Sequence, residues 1–172
     1  MEYGLDESFP DLLGGLGVLA GDFIKSARDL NLPVVAVGLS WERGYGVQHI
    51  GTDGQPRYEY PVVDHDFLED TGIRIRVRVR GTEIPCEVRM TDRFGNVPLY
   101  MIEPFRPEHR WITRRLYEAG TDIRIAQEML LGIGGVRALN WLGHRSRYLS
   151  LQRGPRGIRR HRDGGGRAWP AA

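Results

Sequence analysis

The stretch DLLGGLGVLAGDFIKSARDLNLPVVAVGLSW, residues 11–41, decides the fold. From Gly15 to about Leu30, Leu16, Leu19, Phe23, Ile24, Ala27 and Leu30 recur at intervals of three and four, the spacing of one helix face, and this stripe is expected to face the core. Pro33 ends the helix, and PVVAVGLSW reads as a short buried strand. The step is therefore from helix to strand. Glycines crowd the start of the helix, where free backbone N–H groups and the positive end of the dipole favour an anion. A P-loop is excluded, because no Gly-Lys-Ser/Thr follows. Gly15, Gly17 and Ala20 satisfy the relaxed dinucleotide pattern G-x-G-x-x-A. That pattern must leave a strand, and DESFPDLL, with a proline and three acids, makes a poor one. A phosphate-facing loop and a tight turn remain.

Outward from this step, GIRIRVRVRG sets Ile73, Ile75, Val77 and Val79 against Arg74, Arg76, Arg78 and Arg80, the period of a strand with one wet face. Four arginines at about 6.6 Å intervals raise a phosphate-tracking reading; a solvated strand face is the expectation preferred here. EIPCEVRM and NVPLYMIE are expected partners, joined by a turn at 92–96, giving an antiparallel patch. From Arg110 helix is expected again, first in RWITRRLYEA and then in DIRIAQEMLLGIGGVRALNWLG. Gly132, Gly134 and Gly135 inside the second run each cost about 1 kcal/mol against alanine, so close packing or a backbone contact is expected to account for them. Beyond Gly143 the apolar period stops, and residues 143–172 are expected to form a disordered basic tail.

Composition narrows the function classes. The 172 residues suffice for one domain, and the single cysteine, Cys86, excludes a disulfide framework or cysteine-rich metal site, which suits a cytoplasmic protein. Cys86 is expected to be a packing residue. No apolar run nears the roughly 20 residues of a membrane span. Residues 1–142 carry 16 basic against 21 acidic side chains, and residues 143–172 carry 8 arginines against one acid. Only one lysine, Lys25, is present. His49, His65 and His109 match no zinc spacing, and the acids of DHDFLED, 64–70, lack the glycine and final glutamate of a calcium loop, so no metal site is expected.

The order of residues is more specific than any one spacing. MEYGLDESFPDLLGGLGVLAGDFIKSARDLNLPVVAVGLSWERGYGVQ, then DGQPRYEYP, VPLYMIE and RWITRRLYEAGTDIRIAQEMLLGIGGVRALNWLG, closely resemble the bacterial-type α-glucan (glycogen or maltodextrin) phosphorylase family over residues 1–142. The resemblance implies an α/β fold, a partial N-terminal glycosyltransferase-like (Rossmann-type) domain with an antiparallel β insertion. It implies transfer of a terminal α-1,4-glucosyl unit of a glucan to inorganic phosphate, giving glucose 1-phosphate with retained configuration. It also implies pyridoxal 5'-phosphate, whose phosphate group assists proton transfer. By resemblance Gly14, Gly15, Leu16 and Gly17 present backbone amides to the cofactor and substrate phosphates and a leucine edge to the glucosyl unit. Amides already aimed at a phosphate stabilise developing charge without reorganising.

Departures from the family pattern shape further expectations. Leu12 and Leu13 replace a Tyr-Ser pair, and Gly46 replaces an aromatic residue. Met1 coincides with an internal methionine of the pattern, which implies truncation at the front. After Gly143 the likeness stops, and the tail matches the family's next segment read one base out of frame, which implies a frameshift. The family's cofactor lysine belongs to later sequence, and Lys25 matches a helix lysine, so this chain alone is expected to be inactive. The expected partners are α-1,4-glucan and inorganic phosphate, with no nucleic acid and no membrane. The alternatives are a glycogen or starch synthase-like glucosyltransferase, and a non-enzymatic polyanion- or glucan-binding fragment.

Overall fold

A computed structural model describes residues 2–6, 14–116, 118, 120–144 and 149–150. Most of the expected tail, and Leu12 and Leu13, lie outside the described residues. Helix α1 spans Gly14–Asp29 and leads into strand β1, Ala36–Leu39. A two-stranded ribbon follows, β2 (Val47–Ile50) antiparallel to β3 (Pro56–Glu59). Then come β4 (Glu69–Val79), β5 (Thr82–Thr91) and β6 (Leu99–Pro104). The chain closes with a 3₁₀ turn at Pro107–Ile112, helix α2 (Thr121–Met129), a π turn at Leu130–Gly134 and helix α3 (Gly135–Trp141).

The main sheet has the order β1-β6-β5-β4. β1 runs parallel to β6, with Ala36 opposite Leu99, while β4, β5 and β6 form the expected antiparallel patch. The mixed α/β architecture follows from this one parallel pair grafted on a meander. Arg80 (φ 51°) and Gly81 (φ 80°) make the two-residue turn between β4 and β5, with Val79 opposite Thr82. Two consecutive left-handed residues give a turn whose twist matches that of the strands.

The alternation in β4 is as expected. Ile75, Val77 and Val79 are buried and pack with Ile84, Val88 and Ile102 under α2 and α3, at about 1.5–3 kcal/mol for each side chain. The glycines of the long run divide by contact. A Cβ on Gly134 would lie 3.3 Å from Val77 and 3.4 Å from Ile75, and one on Gly135 would lie 3.3 Å from Val37, so these two let the helix press onto the sheet. Gly132 faces open space among the described residues.

Two expectations need correction. RWITRRLYEA does not form an α-helix: after the 3₁₀ turn its backbone runs beside residues 42–43, with Glu42 N–H donating to Thr113 O (2.9 Å) and Arg43 N–H to Arg114 O (3.0 Å). Those bonds, and the parallel bridge of Arg43 with Arg115, hold the segment in a bent, non-helical path. The second correction concerns α1. Its core side is Gly17, Ala20, Gly21, Ile24 and Ala27, whereas Leu16, Leu19, Phe23 and Leu30 are exposed. Small residues win the inner side because residues 2–5 lie directly on it. A Cβ on Gly21 would fall 2.7 Å from the Gly4 carbonyl carbon, and Gly4 N–H donates to Gly17 O at 2.8 Å.

Candidate functional site

The glycine turn is the first turn of α1. Gly14, Gly15, Leu16 and Gly17 open the described span of α1, at the end of the helix where backbone N–H groups lack helical acceptors. The other end of α1 is fixed at the amino end of β6. Val97 N–H donates to Ile24 O (3.1 Å), and the Arg28 guanidinium donates to Asn96 O (2.8 Å) and Asp92 O (3.1 Å). Since α1 rises about 1.5 Å per residue and runs opposite to β1, its glycine turn lies towards the carboxyl ends of the parallel pair β1 and β6. Ligands of open α/β sheets bind in that position.

The surroundings of the described residues of this turn differ. A Cβ on Gly15 would meet nothing within 4 Å among the described residues, so this position is open to an approaching group. Leu16 is exposed beside it. Gly17 is a packing glycine, buried with its Cβ direction 3.4 Å from Glu2 Cβ and 3.5 Å from Glu2 Oε2. Sequence reasoning missed Glu2, whose buried carboxylate stands by the positive end of the α1 dipole, where a negative charge is favoured. The signal was present in MEYGL, an acid among residues of which Tyr3 and Leu5 are fully covered. Tyr3 crosses the sheet edge: its hydroxyl donates to Val37 O (3.0 Å), and burial pushes its pKa up.

Ser40, the first residue past the end of β1, is buried with no hydrogen-bond partner for its Oγ among the described residues. The buried Oε2 of Glu118 has the same standing, and the buried Nε of Arg43 has no hydrogen bond among the described residues but meets Glu42 Oε1 at 4.0 Å. Buried polar atoms of this kind call for an additional partner, a water or a ligand. At Arg43 and Glu118, Arg115 pairs with Glu118 (3.3 Å) and stacks over Tyr60 (4.5 Å to the ring centre), and Arg43 donates to Tyr60 O (3.0 Å). Gly46, where the family pattern has an aromatic residue, touches this group from outside: a Cβ there would lie 3.0 Å from the Tyr60 ring.

Other candidate residues have structural duties. The Lys25 ammonium donates to Leu5 O, tying residues 2–5 to α1. Cys86 is fully buried, and burial pushes its thiol up to about 12. Within the acidic stretch 64–70, Asp64 Oδ1 accepts the Asp66 N–H (2.9 Å), and Asp70 makes a two-pronged pair with Arg74 (2.9 and 3.0 Å). Among the described residues no group of three or more His, Cys, Asp or Glu is placed to hold a metal ion. The arginine row is largely matched by acids: Arg74 also meets Glu87 (3.3 Å), Arg78 meets Glu83 (3.7 Å) and Arg80 meets Asp122 (2.9 Å). No described helix is long and apolar enough to cross a membrane.

Against this geometry stand the similarities to known proteins. The chain is 38% identical over 168 residues to a maltodextrin phosphorylase of Thermococcus litoralis, covering 90% of this chain and 20% of that protein. It is 38% identical over 154 residues to a glycogen phosphorylase of Mycobacterium tuberculosis, covering 81% of this chain and 18% of the relative. With a glycogen phosphorylase of Aquifex aeolicus the identity is 31% over 156 residues, 83% of this chain and 22% of the relative. The chain thus spans about a fifth of the length of these relatives. No family model matches it.

Proposed function

We propose that this chain, which belongs by sequence with one stretch of the glycogen and maltodextrin phosphorylases, supplies the phosphate-facing glycine turn of such an enzyme's N-terminal domain. The single observation that carries the reading is Gly15. It stands in the first described turn of α1, and among the described residues open space lies where a side chain would be. An oxyanion can approach that backbone closely, and the helix dipole favours it.

On this reading the residues divide the work. The amides of Gly14, Gly15 and Leu16 bind and orient a phosphate, and the exposed Leu16 side chain meets the glucosyl unit. Gly17 and Gly21 let residues 2–5 brace the turn from behind, and Lys25 fastens that brace. Glu2 places a carboxylate beside the turn and sets how negative a ligand the site accepts. Pyridoxal 5'-phosphate, when bound in such an enzyme, supplies a phosphate group that exchanges protons with the substrate phosphate. The turn fits one of these phosphates, and Lys25, engaged with Leu5 O, is not the cofactor's covalent partner. The remaining sugar and phosphate ligands lie outside this stretch, so the chain alone does not turn over glucan. The glucosyltransferase alternative draws no support from the three relatives described above, which are phosphorylases by name.

The test is an amide NMR titration of the chain with inorganic phosphate. Shifts confined to Gly14–Gly17 that vanish in Gly15→Val are expected. Shifts scattered over the arginines of β4, or none at millimolar phosphate, would defeat the reading. A parallel assay for glucose 1-phosphate from maltodextrin with added pyridoxal phosphate is expected to read zero, and turnover would overturn the claim of inactivity.

A further inference from the structure

The outward side of α1 carries a pattern that the sheet does not use. Leu16, Leu19, Phe23, Ser26 and Leu30 are all exposed, Phe23 by 57% and Leu30 by 69%. Their spacing, three and four in alternation, is that of the a and d positions by which one helix faces another. At 3.6 residues per turn this stripe lies roughly 120° around the helix from the line of Gly17, Ile24 and Ala27, so α1 can hold the sheet and a second helix together. Leu16, Leu19 and Phe23 on α1, continued by Leu30 just past its end, form an exposed patch of the kind that marks a contact surface.

The borders of the stripe say what kind of helix fits. Ala20 and Ala27 flank it on the core side, while the exposed Asp22 and Asp29 flank it on the solvent side, at the positions where charge sets partner choice. In a second copy of α1 packed antiparallel, these aspartates would face their own mates, which is unfavourable. An anionic bilayer meets the same repulsion. We propose that this face of α1 docks an amphipathic α-helix of another polypeptide segment whose apolar stripe is bordered by Lys or Arg. The proposal rests on the surface of α1 alone and stands apart from the phosphorylase reading.

The probe is a fluorescently labelled helical peptide with Leu at a and d and Lys at e and g, compared with its Glu counterpart by anisotropy against the full chain. The Lys peptide is expected to bind at least about tenfold tighter than the Glu peptide. Phe23→Lys and Leu19→Lys, at exposed positions, are each expected to weaken it at least tenfold with an unchanged circular dichroism spectrum. Asp22→Asn with Asp29→Asn is expected to remove the preference for Lys. Equal binding of the two peptides, or full binding by both lysine variants, overturns the proposal. So does a concentration-dependent dimer that Phe23→Lys disperses, which assigns the face to a second copy. Cosedimentation with phosphatidylglycerol vesicles that the same variant abolishes assigns it to lipid and overturns the proposal as well.

Discussion

Raising the pH from 5 to 8 is expected to destabilise this chain through Glu103, and Glu103→Gln is expected to remove that part of the loss. Glu103 on β6 stands opposite Glu87 on β5 in the antiparallel register. Like charges directly opposite one another weaken a strand pair. Arg74 lies 3.3 Å from the Glu87 carboxyl, and Asp70 shares that arginine. Partial burial, then the hydrogen bond and charge of Glu87, push Glu103 up to about 7 from an ordinary 4.5, and Arg89 and Arg110 offset only part of this. A carboxyl whose folded pKa is raised keeps a proton that the unfolded chain has released. Stability is therefore unaffected below about 4.5, falls between there and about 7, and bears the whole loss above 7. The displacement alone corresponds to about 3 kcal/mol, and water reaching the carboxyl reduces this to about 1–2 kcal/mol. For a chain of this length that is roughly 2–8 °C in Tm. Urea and thermal unfolding of the parent and Glu103→Gln, followed by circular dichroism at several pH values, measure the difference. The two should coincide near pH 5 and separate by pH 8, with the variant more stable. Stability curves that stay parallel across the range would refute the reasoning.

Three further outcomes are expected. Burial, with the Arg89 charge adding to it and Asp64 opposing it, pulls His65 down to about 4, so the folded imidazole stays neutral where the unfolded one is charged. His65 should thus contribute a loss of stability as pH falls from about 6.5 towards 4, and its ring protons should not titrate by NMR at pH 5.5; a midpoint near 6.5 contradicts this. Gly21→Ala should cost about 3 kcal/mol or more in urea unfolding, because its Cβ meets the Gly4 carbonyl, whereas Gly15→Ala should be neutral or gain up to about 1 kcal/mol. Cys86 should resist Ellman's reagent in the folded chain and react once urea unfolds it; rapid native labelling would show that the β5 core opens.

The sequence made the β4–β5–β6 patch legible because its alternation of Ile and Val with Arg has a single physical solution, one dry face and one wet face. It made α1 legible as a helix but misassigned its inner side. Periodicity counts apolar residues, and here the neighbour is a backbone, residues 2–5, which selects glycine and alanine instead of leucine. The non-helical run after Ile112 was hidden for a related reason: RWITRRLYEA has a helical period, but hydrogen bonds from residues 42–43, some seventy positions away, claim its backbone. The parallel pairing of β1 with β6 was equally non-local. At the site, the glycine turn was visible in order and spacing. Glu2 and Ser40 were not, since their places depend on burial against α1 and at the end of β1.

The glycines of α1 separate what packing requires from what it does not. Gly17 and Gly21 are explained inside the chain, one by Glu2 and the Gly4 N–H, the other by the Gly4 carbonyl. Gly15 has no such account: among the described residues nothing lies near its missing side chain. A glycine within a helix forgoes up to about 1 kcal/mol relative to alanine, and at Gly15 no contact within the described fold returns that loss. On the proposed reading the compensation comes from a ligand that needs bare backbone at a helix start. A phosphate has that character, which is why Gly15, and not the whole glycine run, is the residue on which the functional reading depends.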